Sequence, residues 1–374
     1  MKNRLKTAAT YLLATAITGA LFTACSKNTD PTPAGPYTNG VIVMNSGNFL
    51  QNNGSLSWIN RTSTTAAIDI FRARNNRPTS GLVQEYVEAG NRGVILVDNS
   101  SAGLDKVEIV TADSLRSVKT LGAPDIENPR HAARVSDTKV YVTCWGTTGS
   151  GANFYGTAGY VAVIDLTTNS VLKRIPVNKG AEGVTVVGNE AFVASTAYSD
   201  AKTITVIDTQ TDAVKQQIAV PTDVVNLVAD ANNKLWTLSG RNALRINPAT
   251  KSIEATIPIG TADNANTPTP DKLIASADRR TLYYTYTVSN ASFLPDGQLY
   301  RFNISDVTIT PTTPVINRTF VGFTGVGFDP QSNVIYVGTT PSLAQAGYVY
   351  RYQLTGQLVD SVRVEISPVG FYFK

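Results

Sequence analysis

The sequence predicts an all-β fold, a seven-bladed β-propeller in which each blade is a four-stranded antiparallel sheet. The first observation is a near-duplicate: "VIDLTTNSVLKRIPV" at 163–177 is repeated as "VIDTQTDAVKQQIAV" at 206–220. A period of about 40 to 50 residues is typical of propellers and solenoids. The second is that apolar residues alternate with period two and are rich in β-branched and aromatic types, which favours strands over helices.

Seven copies of the repeat can be aligned along the chain, each with an apolar second strand followed by a third strand that ends in a turn. We interpret Asp165 and Asp208 as turn formers that bond local backbone, rather than as a carboxylate pair. The turn positions are Asn60, Thr111, Asp165, Asp208, Asn247, Asn303 and Gln353. The second strands each carry one large residue that we expect to pack between blades: Ile42, Ile95, Tyr141, Phe192, Trp236, Tyr283 and Tyr336.

The two ends of the repeat region predict how the ring closes. The segment "GVIVMNS" at 40–46 matches a second strand, with no inner strand before it. The last residues, "SPVGFYFK" at 367–374, match the inner-strand segment "GAEGVTVV" of the fourth blade. We therefore expect the C-terminal strand to complete the first blade, which leaves no open sheet edge.

The N-terminus has the pattern of an export signal. Lys2, Arg4 and Lys6 precede an apolar run that leads to Cys25. The segment resembles the lipobox of bacterial lipoproteins, although Phe22 stands where Leu is usual. We expect residues 1–24 to be a lipoprotein signal peptide, Cys25 to be acylated, residues 25–39 to be a Pro-rich tether and residues 40–374 to form the propeller. The protein would then be lipid-anchored at the outer membrane, at the cell surface or facing the periplasm.

Composition argues against several classes of function. The chain has 32 basic and 28 acidic residues, and without residues 1–25 the count becomes 29 against 28, with no basic run to bind nucleic acid. His131 is the one histidine, and Cys144 the one cysteine besides Cys25. These are too few ligands for a typical metal or haem site, so we expect neither metal nor cofactor. Without a nucleophile elbow, a Walker loop or a dinucleotide fingerprint, we do not expect an enzyme.

Loop length indicates where a ligand would bind. The connections between second and third strands are long and irregular, and they share one face with the mouths of the inner strands, whereas the turns on the other face are short. Function on a rigid scaffold concentrates in such loops, and aromatic rings above polar groups suit a small molecule or a glycan. The candidate binding residues are Phe49, Gln84, Arg130, His131, Trp145, Phe154, Tyr155, Glu182, Tyr198, Asn226 and Lys272.

Three stretches carry a family resemblance: "YVTC" at 141–144, the two "VID" strands, and "NSGNFLQNNGSLSWIN" from Asn45. They resemble the YVTN-type (YncE-like) seven-bladed propellers, especially surface lipoproteins of Bacteroidetes, over residues 40–374. The chain departs from the family pattern at Ser46 and Cys144. One branch of that family captures cobalamin and passes it to a TonB-dependent outer-membrane transporter.

The resemblance implies a surface-anchored binding protein that delivers a small molecule, with a corrinoid as one option. Two alternatives stay open. The first is a propeller enzyme similar to lactonases or glutaminyl cyclases, with Glu182 and His131 as base and acid. The second is a structural or adhesive surface protein.

Overall fold

The computed structural model describes residues 35–149, 154–196, 199, 201–260, 270–289, 295–318 and 322–374. In this part of the chain there are 28 strands and one short helix, and the strands form seven four-stranded sheets. All the neighbouring strands pair antiparallel. The predicted seven-bladed propeller is thus confirmed. Within these residues no helix has the length and hydrophobicity needed to cross a membrane.

The blades follow one another along the chain. Blade I contains β1 (Val41–Asn45), β2 (Ser55–Ile59) and β3 (Ala66–Ala67), and the helix α1 (Ile70–Asn75) follows it. Blade II contains β4 (Leu82–Ala89), β5 (Arg92–Asp98), β6 (Lys106–Thr111) and β7 (Ser117–Gly122). Blade III contains β8 (Pro129–Arg134), β9 (Lys139–Cys144), β10 (Tyr160–Asp165) and β11 (Ser170–Pro176). Blade IV contains β12 (Ala181–Val187), β13 (Glu190–Ser195), β14 (Thr203–Asp208) and β15 (Ala213–Ala219).

The remaining blades have the same order. Blade V contains β16 (Val228–Ala229), β17 (Leu235–Ser239), β18 (Asn242–Asn247) and β19 (Ser252–Pro258). Blade VI contains β20 (Pro270–Ala275), β21 (Thr281–Ser289), β22 (Pro295–Asn303) and β23 (Ile316–Arg318). Blade VII contains β24 (Phe323–Asp329), β25 (Val334–Thr339), β26 (Tyr348–Gln353) and β27 (Leu358–Arg363). The last strand, β28 (Pro368–Phe373), belongs to blade I.

The C-terminal strand closes the ring as predicted. Strand β28 pairs antiparallel with β1, so blade I has the order β28-β1-β2-β3. Beyond the strand, the backbone N–H of Lys374 donates to the carbonyl of Gly40 at 2.9 Å. The ammonium of Lys374 lies 2.6 Å from Glu88 of blade II. The chain end is therefore bonded both within blade I and to its neighbour.

The core is divided among the interfaces between blades. Seven apolar clusters each combine residues of two consecutive blades, including the closing interface of blades VII and I. All seven large residues predicted to pack between blades are buried, with at most 2% of their surface exposed. At the closing interface, Tyr336 packs against Phe371 and Phe373 of β28. Each blade is thus stabilised by burying apolar surface against both neighbours.

The aspartates at the ends of the third strands are turn formers, as predicted. Asp165 accepts a hydrogen bond from the backbone N–H of Thr167 at 2.8 Å, and Asp208 accepts one from that of Gln210 at 2.9 Å. These bonds replace the backbone partners that the turn lacks. The two carboxylates serve separate turns.

The inner strands share an irregularity that shapes the central channel. In six of the described blades the pairing of the inner strand with the second strand shifts register within the first few residues of the inner strand. In blade V the paired inner segment is only Val228–Ala229. A β-bulge re-aims side chains that would otherwise alternate across the sheet. The bulges therefore place extra side chains where the inner strands begin, at one mouth of the channel.

Candidate functional site

The candidate site is this channel mouth, formed by the bulges of the inner strands. Apart from Gly183, which has no side chain, the residues at the register shifts are Gln84, Arg130, His131, Glu182, Asp271, Lys272, Thr324 and Val369. Sequence analysis predicted five of them and missed Asp271, Thr324 and Val369. A bulge sets two residues against one, so strict alternation predicts one channel residue where the fold places two. A break of the alternation at the same point of each repeat is the signal for the others.

Arg130 is at the centre of a charged cluster on the side of blades II, III and IV. Its guanidinium lies 3.6 Å from Asp98 and 3.4 Å from Glu182, and both carboxylates are buried. Gln84 donates to Asp98 at 3.3 Å. Sequence analysis missed Asp98, because it lies at the end of a second strand where the pattern predicts only packing. The cluster joins three consecutive blades at the mouth.

His131 lies between two carboxylates from the neighbouring blades. Its Nδ1 is 3.2 Å from Glu85 and its Nε2 is 3.5 Å from Glu182. Burial by itself would lower the pKa of His131, but the carboxylates of Glu85 and Glu182 outweigh it and raise the pKa to about 9. The imidazole is therefore protonated at neutral pH. Glu85 also accepts from the backbone N–H of Ala132 at 2.6 Å, a role that the sequence did not indicate.

The carboxylates of Glu182 and Asp98 have opposite pKa shifts. Burial would raise the pKa of Glu182, but Arg130, His131 and the Trp145 indole lower it to about 2. Burial raises the pKa of Asp98 to about 7, against the influence of Arg130 and with a contribution from the neighbouring Asp105. Glu182 is thus ionised near neutrality, whereas Asp98 keeps its proton to a higher pH than an ordinary aspartate.

Trp145 connects the charged cluster to an aromatic group. Its indole N–H donates to Glu182 at 2.8 Å, and the guanidinium of Arg130 lies 4.0 Å from the ring centroid. The rings of Phe154 and Tyr155 meet Trp145 edge to face at 5.8 and 5.3 Å. Tyr155 is only 6% exposed, whereas Phe154 is 39% exposed. Phe154 and Trp145 can therefore contact a ligand, and Tyr155 supports them from below.

The other predicted residues lie apart from this cluster. Asn226 uses its amide to bridge blades, donating to the carbonyl of Leu273 at 2.8 Å and accepting from its N–H at 3.2 Å. Phe49 is 55% exposed in the loop between β1 and β2. Tyr198 and Cys25 lie outside the described residues. Lys272 belongs to a separate part of the mouth.

A cavity of about 300 Å³ lies at the mouth beside blades VI, VII and I. Its wall combines the bulge residues of these blades with hydroxyl and apolar side chains. The lining residues are Asp271, Lys272, Thr285, Thr287, Phe323, Thr324, Gly325, Val326, Thr340, Leu343, Ser367 and Val369. Near it, Asn48 donates to the carbonyl of Leu343 at 3.0 Å and joins two rim loops.

Two further observations concern chemistry. Across the described part of the chain, no group of three or more His, Cys, Asp or Glu side chains is placed to hold a metal ion. Cys144 is buried, and burial raises the pKa of its thiol to about 12. The thiol is therefore protonated and shielded, which does not suit a nucleophile.

Comparison with protein families now identifies the chain. A family model described as a domain of unknown function, DUF5074, matches residues 39–374. The chain belongs to the DUF5074 family. No curated protein matches it.

Several solved structures share the fold of this DUF5074 protein at low sequence identity. A quinonprotein alcohol dehydrogenase-like protein from Bacteroides thetaiotaomicron is 15% identical, with a TM-score of 0.63. The match covers 88% of this chain and 78% of that protein's chain. A functionally unknown protein from Desulfotomaculum acetoxidans is 12% identical with a TM-score of 0.62, covering 90% and 99%. Hydrazine synthase from Kuenenia stuttgartiensis is 16% identical with a TM-score of 0.51, covering 72% and 76%. These likenesses concern the fold alone.

Proposed function

We propose that this DUF5074 protein is a binding protein of the cell envelope, which captures a small molecule at the mouth of its channel. The observation that carries the proposal is the division of that mouth into two halves. On one side, Arg130 and His131 of blade III pair with Glu182 of blade IV and with Asp98 and Glu85 of blade II, and these contacts hold three blades together. On the other side is a preformed cavity of about 300 Å³ with mixed polar and apolar walls, the composition of small-molecule sites.

The finer part of the proposal concerns delivery. The N-terminal pattern and the family resemblance support a lipid anchor at Cys25 and transfer of the ligand to a TonB-dependent outer-membrane transporter. A corrinoid remains one candidate ligand, but it is too large for a cavity of this volume. It would have to lie flat across the rim, over the exposed ring of Phe154 and beside Trp145.

A thermal-shift screen of small molecules against the purified protein tests the binding function. We expect at least one class of compound to raise the melting temperature in a concentration-dependent way. Calorimetry with cobalamin then tests the corrinoid: binding should weaken at least tenfold, about 1.4 kcal/mol, when Trp145 and Phe154 are both changed to Ala. Absence of heat at micromolar cobalamin removes the corrinoid, and absence of any hit in the screen contradicts the binding function.

Membrane attachment is tested separately with Cys25→Ala. The variant should stay folded and leave the membrane fraction, because acylation of Cys25 is the attachment that the sequence predicts. A variant that still sediments with outer membranes after a high-salt wash would contradict the anchor.

The catalytic alternative has one supporting observation, the contact of His131 with Glu182 at 3.5 Å. However, a histidine with a pKa of about 9 beside a glutamate with a pKa of about 2 is a stable ion pair at neutral pH. General acid–base catalysis works best with pKa values near the working pH. Turnover in a lactone or peptide-cyclisation assay, lost in His131→Gln, would nevertheless establish an enzyme.

A further inference from the structure

We propose that the cavity beside blades VI, VII and I binds a single α-amino acid with an apolar side chain. The inference rests on the proposed binding function and names the class of ligand. It comes from the charges, the hydroxyl groups and the size of the cavity.

The cavity contains one cation and one carboxylate that do not pair with each other. Asp271 and Lys272 are neighbours on the bulge of β20, and both line the cavity. Among the described residues, Lys272 Nζ makes no hydrogen bond or ion pair, and Asp271 accepts one hydrogen bond, from Thr287 Oγ1 at 3.2 Å. Arg130, His131 and Glu182 on the other side of the mouth are all paired. The cavity therefore offers a positive and a negative group to an incoming molecule.

The hydroxyl groups add acceptors beside these charges. Thr324 Oγ1 donates to the carbonyl of Pro368 at 2.8 Å, and Thr340 Oγ1 donates to that of Ser342 at 2.6 Å. Because a hydroxyl has only one proton, the oxygen of Thr324 is left as an acceptor for a ligand, whereas Thr340 is completely buried and only completes the wall. Thr285 Oγ1 instead accepts from the backbone N–H of Lys272 at 3.2 Å, so its proton remains available. This set suits an ammonium group near the acceptors and a carboxylate near Lys272.

Most of the rest of the wall is apolar. Phe323 and Val326 are buried in the blade and form one side, Val369 of β28 forms another, and Leu343 lies at the edge with 43% of its surface exposed. A volume of about 300 Å³ is at the lower end of small-molecule sites, which are roughly 300 to 1,000 Å³. An aliphatic or aromatic amino acid can pair with both Lys272 and Asp271 and contacts these apolar side chains. A simple fatty acid has no amine, so Asp271 would face either its hydrocarbon chain or its carboxylate.

Three probes with the same hydrocarbon part test the inference: L-leucine, 4-methylpentanoate, which lacks the amine, and 3-methylbutylamine, which lacks the carboxylate. In calorimetry with the purified protein, leucine should bind at least tenfold more tightly than either analogue. Lys272→Met should abolish the preference for leucine over the amine. Asp271→Asn should abolish the preference for leucine over the acid. Lys119→Met, on the exposed strand β7, is the control and should behave like the parent.

Several outcomes would overturn the inference. These are no leucine binding, equal binding of all three probes to the parent, or an unchanged preference in both Lys272→Met and Asp271→Asn. If leucine does not bind, but another compound from the screen binds equally well to the parent and to Lys272→Met, the amino acid site is wrong and the binding function stands. If no compound binds at all, both proposals fail.

Discussion

At the scale of single residues, His131 is a direct reporter of the charged cluster, because it is the only histidine in the chain. Its ring proton signals can be followed by NMR without assignment. We expect a pKa of about 9 in the parent, since Glu85 and Glu182 both stabilise the protonated form. Glu85→Gln should move the pKa towards the ordinary value of 6.5.

The matched control for this titration is Asp208→Asn, which removes a carboxylate whose hydrogen bonds stay within a turn on the opposite face. It should leave the titration of His131 unchanged. A parent pKa near 6.5 would show that the two carboxylates do not contact the ring in solution.

The same shifts predict how stability depends on pH. The pKa of His131 in the folded protein lies above its ordinary value. Its contribution to the free energy of unfolding is therefore complete below pH 6.5 and is lost as the pH rises through about 9. The folded pKa of Glu182 lies below its ordinary value, so its contribution is complete above pH 4.5 and is lost as the pH falls towards 2. The pKa of Asp98 is raised, as that of His131 is. Its contribution to the free energy of unfolding is therefore also lost as the pH rises, between pH 3.8 and about 7.

Urea unfolding at pH 6 and pH 9.5 checks the contribution of His131. Between pH 6 and pH 9.5 the free energy of unfolding of the parent should fall by about 1 to 3 kcal/mol more than that of His131→Gln, because the variant has no imidazole to lose a proton. Equal losses in both proteins would mean that the ring is not held as an ion pair. Glu182→Gln should instead remove part of the acid-induced loss between pH 4.5 and 2.

Some residues of the charged cluster and the channel mouth could be predicted from the sequence, and others could not. Arg130, His131, Glu182 and Lys272 were predicted because polar side chains recur where the inner strands begin. Asp98 and Glu85 were missed, since their importance depends on which blade lies beside which mouth residue. Asn226 was predicted as a site residue, yet its side-chain amide makes its hydrogen bonds to the backbone of Leu273. This pairing across blades is not encoded in any local pattern.

At the scale of elements, β28 decides whether blade I is a complete sheet. It pairs with β1, contributes Phe371 and Phe373 to the interface with blade VII, and places Tyr372 5.1 Å from Tyr86 of blade II. Deleting residues 368–374 should therefore destabilise the protein by several kcal/mol, in the range of lost core packing, and expose the edge of β1. Thermal unfolding followed by circular dichroism measures the loss.

Lys374→Met is the control for this deletion, because it removes the ion pair with Glu88 and keeps the strand. Its melting temperature should stay much closer to that of the parent. A deletion variant that melts within a degree or two of the parent would contradict the closing role of β28.

The elements show a clear limit of sequence analysis. The closure by β28 was predicted because the alternating pattern of residues 367–374 continues that of the other inner strands. The bulges were not predicted, since they depend on the register between two strands rather than on either strand alone. Tyr37, assigned to the tether, packs 5.4 Å from Trp58 and donates its backbone N–H to Asp113, because aromatic burial outweighs the disorder expected from nearby prolines.

At the scale of the whole molecule, the ring is also closed by polar contacts between its first and last blades. Arg61 of blade I donates to the two carboxylate oxygens of Asp329 of blade VII at 2.7 and 3.1 Å, and to the backbone oxygen of Lys374 at 2.7 Å. Arg351 of blade VII donates to the backbone carbonyls of Arg61 and Ser63 at 2.6 and 2.9 Å. These bonds connect blades at opposite ends of the chain, so they form only when the whole ring is assembled.

Asp329→Asn tests this closure, and Asp165→Asn is the control, because both aspartates end a strand and accept hydrogen bonds from a turn. The side chain of Asp329 is completely buried against Arg61, and it also accepts from Ser332 and from the backbone of Gln331. Its replacement leaves a nearly buried guanidinium without its carboxylate, which should cost about 3 kcal/mol in the free energy of unfolding. Asp165→Asn changes a carboxylate whose bonds stay within its own turn, and it should cost less than about 1 kcal/mol. Both values can be measured by urea unfolding. Equal losses would show that the ion pair between blades I and VII adds nothing beyond a local turn, and that β28 and the apolar interface hold the ring closed alone.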